Sequence, residues 1–252
     1  MFEPILLTAS KVVTFADRIA LTNGSGFFFE PDHRLFFVTS RHVLIDESSQ
    51  HFPNRIEISL HINADNLADC VGFSIPLYRN GISDWQQGED SAGPIDVAVI
   101  ELDQKALPTG TTYYAFRPEH ICTQGSSAND IEIGSPALVL GFPLGFHDTL
   151  HQLPVARQAI VASSFGFRFQ GRGYFLTDAR THRGTSGSPA IIRAKDDDKA
   201  LGDLPWRLLG IHSAQLDMAT REVGADEVLG LNSTWFADIL MILTADNARV
   251  RG

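Results

Sequence analysis

Short apolar runs separated by turn residues recur along the chain, and they constrain its fold more than any other feature. Residues 56–62 alternate apolar and polar side chains, which is the period-two pattern of a half-buried strand. Residues 96–102 form a second strong candidate, and 21 Gly and 12 Pro supply turns between such runs. The other strand-like runs are residues 26–29, 35–38, 71–77, 136–141, 155–164, 174–177, 190–192, 206–212 and 228–231. Many short strands with turns between them are typical of β-barrels or β-sandwiches.

The end of the chain changes from strand to helix periodicity. Ser233 and Thr234 are suited to cap a helix, and the apolar residues that follow them share one helical face. These apolar residues are Trp235, Phe236, Ile239, Leu240 and Leu243. We therefore predict an all-β protein with two sets of strands and one C-terminal α-helix. The polar stretch 79–94 and the charged stretch 195–203 are predicted to be surface loops.

Composition excludes several classes of protein. The net charge of −10 argues against a nucleic-acid binder, which would show a basic surface. No apolar run approaches the roughly 20 residues of a membrane span, so no membrane partner is expected. Residues 1–8 lack the basic start of a secretory signal, and Cys70 and Cys122 do not make a disulfide framework. We expect reduced cysteines and a cytoplasmic location.

Residues 184–189, with the sequence Gly-Thr-Ser-Gly-Ser-Pro, are the most informative for function. Glycines permit a tight bend and let another molecule approach the main chain. Backbone N–H groups around Ser186 can converge on one point, where an oxyanion would be stabilised. A serine hydroxyl is a poor nucleophile alone, so this interpretation requires a base and an orienting acid elsewhere.

His42 and Asp96 are the candidates for the base and the acid. His42 follows the apolar run 35–38 and lies among small polar residues, where a site can form. Asp96 opens an apolar run, so its carboxylate is expected to be partly buried and to need a partner such as a histidine N–H. Each residue taken alone also fits a structural role, His42 as a surface or core histidine and Asp96 as a residue at a strand start.

Together these segments resemble the motifs of the trypsin-like (chymotrypsin-fold) serine peptidases. Residues 39–42, Thr-Ser-Arg-His, are similar to the histidine motif of that family, and residues 95–100 are similar to its aspartate motif. Residues 184–189 resemble its Gly-Asp-Ser-Gly-Gly-Pro loop, and the order of the three motifs is the same. The resemblance covers residues 22–233, most of the chain.

The resemblance implies two packed six-stranded antiparallel β-barrels that form one peptidase unit. Residues 1–118 would form the N-terminal barrel with His42 and Asp96, and residues 119–252 the C-terminal barrel with Ser186 and the helix. Asp96 would orient His42, and His42 would act as the base that activates Ser186. The backbone N–H groups of Gly184 and Ser186 would form the oxyanion hole, and no cofactor is implied.

A second serine in the same loop, Ser188, is a rival nucleophile. The resemblance favours Ser186, because its flanking glycines fall where an oxyanion hole needs them. Thr185 stands where many animal members carry an aspartate that pairs with a new N terminus, which points to a bacterial-type enzyme. Residues 176–179 resemble a segment of the HtrA-type peptidases. His147 and His151 have the i, i+4 spacing of metal ligands, but Gly and Pro surround them and no metal site is expected.

The resemblance also indicates the walls of the pocket for the P1 side chain of a substrate. These are Arg180 and Thr181 on one side and Ser213, Ala214 and Gln215 on the other. A basic residue near position 180 argues against cleavage after Lys or Arg. His212 resembles the histidine with which glutamyl endopeptidases read P1, which predicts a preference for Glu, Gln or Asp. The alternative is that His212 is an ordinary strand residue.

Two functions from different classes therefore remain open. The first is a serine endopeptidase acting on a protein or peptide substrate. The second is a catalytically silent trypsin-like module that uses the same fold to bind a peptide or protein partner. Chance coincidence of the three motifs on an unrelated β-protein is a third possibility. Intact motifs favour the first, and no feature of the sequence specifies an oligomeric state.

Overall fold

The computed structural model describes residues 2–123, 131–195, 201–217 and 228–246. The strands of the first half are β1 (Ala9–Ala16), β2 (Ile19–Phe29), β3 (Leu35–Thr39), β4 (Arg55–His61), β5 (Cys70–Pro76), β6 (Tyr78–Arg79), β7 (Ile82–Ser83), β8 (Gln86–Asp90) and β9 (Gly93–Leu102). Those of the second half are β10 (Pro136–Gly141), β11 (Val155–Val161), β12 (Tyr174–Asp178), β13 (Pro189–Arg193), β14 (Trp206–Asp217) and β15 (Val228–Phe236). Among the described residues there are also two short α-helices, α1 (Arg41–Leu44) and α2 (Ile239–Leu243), and several single-turn 3-10 helices.

The first half is a seven-stranded antiparallel sheet in the order β5-β4-β1-β2-β3-β9-β8, which we call the N-terminal sheet. Alternate residues of its strands point into one apolar core. That core contains Phe28 and Phe37, whose rings meet edge to face with centroids 5.6 Å apart. Aromatic and β-branched residues pack well on such a half-buried pleated surface, which explains why these runs form strands.

The second half is a closed six-stranded barrel in the order β10-β11-β12-β15-β14-β13. Because the barrel is closed, each of its strands pairs with a neighbouring strand on both sides. Its interior holds a cluster of aromatic rings, in which Phe165 lies 5.0 Å from Phe175 and 5.2 Å from Phe236 between centroids.

A third apolar cluster joins the two halves. It contains Phe27 and Val99 from the N-terminal sheet, Leu176 and Ile211 from the barrel, and Leu240 from α2, all buried. Because this shared core is continuous, the edges of the sheet and of the barrel are held in fixed relation to each other. The all-β prediction and the C-terminal helix are confirmed, with one half closed as a barrel and the other a sheet that ends at β5 and β8.

One local prediction differs from the structure, and a second can be compared only in part. Residues 79–94 were expected to form a loop, but they contain β8, which pairs with β9 and covers one edge of the N-terminal sheet. The predicted loop 195–203 lies partly outside the described residues, which omit residues 196–200. None of the helices within the described ranges has the length and apolar character to cross a membrane.

The C-terminal helix begins later than the sequence pattern predicts. Ser233 and Thr234 do not cap it, because they belong to β15 and pair with β12 on one side. Thr234 also pairs with His212 of β14 on the other side. Pairing on both edges satisfies the backbone hydrogen bonds of this segment and buries Trp235 in the shared core, so the strand outcompetes the helix.

Arg34 links the C-terminal helix to the N-terminal sheet by hydrogen bonds. Arg34 donates from Nε and Nη2 to the two carboxylate oxygens of Glu101, both at 2.9 Å. Its Nη1 donates to the carbonyl of Thr244 at 3.1 Å and to Asp246 at 2.7 Å. The guanidinium also lies 4.9 Å from the centroid of Phe36. The planar fork satisfies an otherwise open carbonyl at the end of α2.

Replacing Arg34 with alanine is expected to lower the free energy of unfolding by about 1–3 kcal/mol, because several charge-assisted hydrogen bonds are lost together. Arg34→Lys should recover less than half of this loss, since an ammonium cannot bind Glu101 with two parallel bonds. Urea denaturation measures both values. Arg79→Ala is the matched control, because Arg79 is 79% exposed in its pair with Asp84 and should change stability by less than about 0.5 kcal/mol. Equal effects at the two positions would contradict the assigned role of Arg34.

Candidate active site

The loop 184–189 of the barrel packs directly against the main chain of the N-terminal sheet. Gly187 has a φ of +88°, and a Cβ at this position would lie 2.2 Å from the carbonyl oxygen of Ser25 and 2.4 Å from Oγ1 of Thr39. Only glycine fits such a conformation and such an approach. The glycine at position 187 therefore reflects direct packing of the loop against β2 and the end of β3.

Within this loop, the two serines have different environments. Ser188 is fully buried, and a Cβ on Gly141 would lie 2.1 Å from its hydroxyl oxygen. Ser186 is partly exposed. Of the two serines, Ser186 is therefore the one that a molecule in solvent can reach.

Asp96 and His42 lie together at the start of β9 and in α1. The backbone N–H of His42 donates to Oδ1 of Asp96 at 2.8 Å, and its ring Nδ1 lies 2.7 Å from Oδ2. The hydroxyl of Ser213, from β14 of the barrel, also donates to Oδ2. A partly buried carboxylate is thus satisfied by three donors from two parts of the fold, as its burial requires.

These contacts define the protonation of His42. A carboxylate can only accept hydrogen bonds, so Nδ1 carries the proton and Nε2 of the neutral ring is left as the basic nitrogen. Burial by itself lowers the pKa of His42, but the hydrogen bond and the negative charge of Asp96 outweigh it and hold the pKa above the ordinary value. The ring is therefore a stronger base than a free histidine.

The segments that carry His42 and Ser186 are linked through Ser25. The N–H of Ser25 donates to the carbonyl of Ser186 at 2.9 Å, and the hydroxyl of Thr39 donates to the carbonyl of Ser25 at 2.7 Å. Across the described ranges, neither Oγ of Ser186 nor Nε2 of His42 has a protein hydrogen-bond partner. Both atoms are therefore free of partners in the described part of the chain.

The main chain around Ser186 contains two backbone N–H groups without an acceptor in the described part of the chain. The carbonyl of Arg183 accepts the N–H of Leu144 at 2.6 Å. Because this peptide is trans, the N–H of Gly184 points away from that carbonyl. No acceptor in the described part of the chain takes the N–H of Gly184 or of Ser186. Two backbone donors are therefore unused beside the partly exposed serine.

The structure places the predicted P1 pocket residues in varied surroundings. Arg180 is exposed, and its carbonyl accepts from Arg157 at 2.7 Å. Thr181 is buried and donates to Asn232 at 2.6 Å. The remaining members lie along β14, with Ser213 held by Asp96, Ala214 exposed, and the side chain of Gln215 outside the described residues.

His212 lies beneath the loop 184–189 and is 2% exposed. Its Nε2 is 3.3 Å from the hydroxyl of Thr185, which itself donates to the carbonyl of His182 at 2.6 Å. Since the hydroxyl proton is used there, Nε2 of His212 is the donor and Nδ1 is an acceptor. That Nδ1 is buried, and it has no partner among the described residues. Burial lowers the pKa of His212 to about 4.

His147 and His151 do not converge. His147 bonds the carbonyl of Gly145 at 2.5 Å and the side chain of Gln152 at 3.1 Å. His151 instead pairs with Asp148 at 2.7 Å. The described ranges contain no group of three or more His, Cys, Asp or Glu residues arranged to hold a metal ion.

Sequence reasoning missed two residues that hold this site together. Ser213 appeared only as a pocket wall, but its hydroxyl binds Asp96. Ser25 was not singled out, although it contacts the carbonyls of both Gly184 and Ser186. The one signal for Ser25 is its position between Gly24 and Gly26, which marks a strand approached closely by another backbone.

The buried neutral His212 should make the protein sensitive to acid. Its pKa is about 4 in the folded state and about 6.5 in the unfolded chain, so only the unfolded chain takes up its proton between these values. Stability is complete above pH 6.5, and about 3 kcal/mol is lost as the pH falls towards 4. His42 has the opposite sign, because its raised pKa favours the folded state at low pH.

Urea denaturation from pH 7 to pH 4 checks this expectation. His212→Gln should flatten the dependence of stability on pH over this interval, because the buried side chain no longer titrates. His33→Gln, at an exposed histidine, is the control and should leave the curve unchanged. An unaltered curve in the His212 variant would contradict the assignment.

The sequence and the fold both match known proteins. Residues 24–196 match the sequence profile of the family described as Trypsin-like peptidase domain, whereas no curated protein sequence matches the chain. Among solved structures, the fold is similar to the serine endoprotease from Yersinia pestis, at 16% identity and a TM-score of 0.55. It is also similar to the HtrA-type protease AlgW with tripeptide, at 15% identity and a TM-score of 0.55.

These two alignments cover 97% of this chain but only 64% and 61% of the other chains, so this protein spans less than two thirds of their length. At such identities the structural likeness concerns the fold alone. The family is shown by the profile, which covers more than half of the sequence and contains the His42, Asp96 and Ser186 segments. The chain belongs to the trypsin-like peptidase domain family.

Proposed function

We propose that this protein is a serine endopeptidase that hydrolyses peptide bonds of protein or peptide substrates through an acyl-enzyme. The observation that carries the proposal is the pair of hydrogen bonds between Asp96 and His42. Both the ring and the backbone of His42 bond to one carboxylate, at 2.7 and 2.8 Å. That arrangement fixes the tautomer in which Nε2 accepts a proton, and Ser186 supplies a partly exposed hydroxyl from a loop that Ser25 links to the segment before His42.

The reaction then follows in two halves. His42 Nε2 takes the proton of Ser186 as Oγ attacks the substrate carbonyl, and Asp96 stabilises the imidazolium that forms. His42 returns the proton to the leaving amine, and the C–N bond breaks to give an ester on Ser186. A water molecule, deprotonated by His42, then attacks the ester and releases the acid, which regenerates the serine.

The two unused N–H groups of Gly184 and Ser186 are the proposed oxyanion hole. In each half of the reaction the carbonyl oxygen gains negative charge, and preorganised donors stabilise that charge more than the neutral ground state. One such donor is typically worth about 3 kcal/mol of transition-state stabilisation. The proposed catalytic unit therefore uses both residues 1–118, which carry the base and the acid, and residues 119–252, which carry the nucleophile and the hole.

Substitutions in the proposed triad should separate their roles. Ser186→Ala is expected to abolish cleavage and labelling by a fluorophosphonate, while Asp96→Asn should lower kcat by about 10⁴-fold, because His42 loses its correct tautomer. In the wild type, kcat/KM should rise with pH through a value above the ordinary pKa of histidine, because His42 must be neutral and Asp96 raises its pKa. Asp96→Asn should move this rise to lower pH.

Steady-state kinetics from pH 5 to pH 9 and gel-based labelling provide the measurements. Ser188→Ala is the matched control within the loop and should retain labelling, because Ser188 is buried. A well-folded wild type that is neither labelled nor active would instead favour the silent, peptide-binding module.

We further propose that the P1 pocket accepts Gln, Glu or Asp and that His212 is its reader. Two observations support this. Nδ1 of His212 is a buried acceptor that no described residue satisfies, and an amide N–H of glutamine would satisfy it. Arg180, His182 and Arg183 are exposed nearby and give the approach a basic character that suits an acidic side chain.

Profiling with a peptide library should show cleavage after Gln and Glu. Cleavage after Gln should be the faster of the two, because Nδ1 of the neutral His212 is an acceptor for the glutamine amide. His212→Val keeps a branched apolar side chain in the strand and should erase the preference for Gln while leaving Ser186 labelled. Cleavage after Lys or bulky apolar residues would contradict the proposed P1 pocket. A His212 variant that kept the preference for Gln would contradict the role of His212 as its reader.

A further inference from the structure

Ser25 occupies an unusual position between the two halves of the fold. It lies in β2 of the N-terminal sheet, is fully buried, and is flanked by Gly24 and Gly26. No step of the proposed reaction uses it. Its polar groups nevertheless contact the loop that carries Ser186.

The hydroxyl of Ser25 bridges two backbone segments of the second half. It donates to the carbonyl of Gly184 at 2.6 Å and accepts the N–H of Phe142 at 3.0 Å. The backbone N–H of Ser25 donates to the carbonyl of Ser186 at 2.9 Å. One residue therefore holds the carbonyls on both sides of Thr185, those of Gly184 and Ser186.

The segment that it holds has little rigidity of its own. Gly184 has a φ of +92° and no side chain that would fix its neighbouring peptide groups by steric contact. A Cβ there would lie 2.6 Å from the carbonyl oxygen of Phe142, so glycine is required. The orientation of these peptides therefore comes from hydrogen bonds, in which Ser25 binds the carbonyl of Gly184, Leu144 binds the carbonyl of Arg183, and the N–H of Thr185 binds the carbonyl of His182.

We propose that Ser25 is a positioning residue for the oxyanion hole, acting through the carbonyl of Gly184 and the N–H of Phe142. The inference rests on the proposed peptidase function and assigns to it a residue outside the triad. With the hydroxyl in place, the peptides around Gly184 are fixed and both N–H groups face the substrate. Without it, a buried carbonyl and a buried N–H lose their partner, and the glycine peptides reorient to satisfy them.

The test compares Ser25→Ala with a matched control, Ser10→Ala. Ser10 lies in β1 and is 3% exposed, and its hydroxyl donates to the carbonyl of Ser59 at 2.8 Å and accepts the N–H of Ser59 at 3.0 Å. Both substitutions therefore delete one buried hydroxyl that donates once to a carbonyl and accepts once from an N–H. Only the Ser25 variant affects the loop 184–189.

The first measurement is kinetic. For a peptide substrate chosen from the library, Ser25→Ala should lower kcat by about 10- to 100-fold with KM changed less than about twofold, because the lost interaction acts on the developing oxyanion. Ser10→Ala should leave kcat near the wild-type value. Ser25→Cys, whose thiol is a weak donor, should fall between the two and carries the comparison if Ser25→Ala does not fold.

The second measurement observes the oxyanion directly. A peptide aldehyde enriched with ¹³C at its carbonyl adds to Ser186, with a new Oγ–C bond, and the carbonyl oxygen becomes the oxyanion while His42 takes the serine proton. The pH at which this oxygen ionises, followed by ¹³C NMR, should be higher in Ser25→Ala than in the wild type and Ser10→Ala. A merely structural role for Ser25 would not move this value.

The outcomes distinguish the inference from the function beneath it. A wild type that forms no adduct with the aldehyde overturns the proposed peptidase function. A wild type that forms the adduct, with the same kcat and the same ionisation in Ser25→Ala, overturns the role of Ser25 alone. Equal losses in Ser25→Ala and Ser10→Ala would also overturn it, since any buried hydroxyl would then have the same effect.

Discussion

The rest of the site depends on the direct contact between the loop 184–189 and strand β2. This contact is made by main chain against main chain, with Ser25 bonded to Ser186 at 2.9 Å and no room for a side chain at Gly187. A separation of the two halves by about 1 Å would break this hydrogen bond. The continuous apolar cluster that contains Phe27, Leu176 and Leu240 is what prevents such a shift, because close-packed interiors resist deformation.

Asp96 links the two halves of the fold by hydrogen bonds, as the apolar cluster links them by packing. Its carboxylate accepts from His42 of the N-terminal sheet side and from Ser213 of the barrel, so one charge is shared between the halves. The same arrangement produces opposite results for two neighbouring histidines. Asp96 raises the pKa of His42, whereas burial away from any carboxylate, reinforced by the positive charge that His42 can carry, lowers that of His212. A strong base and a neutral hydrogen-bonding group thus coexist within one cluster.

The sequence alone predicts those features that depend on residues adjacent in the chain. Period-two patterns predicted the strands, and the order of the His42, Asp96 and Ser186 segments indicated the family, because each motif needs only a few adjacent residues. It failed at residues 233–236, since apolar residues with helical spacing also satisfy a strand when both neighbouring strands are present. It missed Ser25 and Ser213 for a related reason. Their partners lie 159 and 117 residues away, and only the closed topology brings them together.

The loop that carries Ser186 is held by hydrogen bonds from its own chain. Thr185 donates from both N–H and hydroxyl to the carbonyl of His182, at 3.1 and 2.6 Å, so the position that bears an aspartate in many relatives is internally satisfied here. The peptide before Gly184 depends on Leu144, which has a φ of +54° and a side chain that is 69% exposed. The geometry of the proposed oxyanion hole consequently depends on two dissimilar supports. Ser25 is buried in the sheet, while Leu144 lies on a surface loop whose conformation is strained for a side chain larger than glycine.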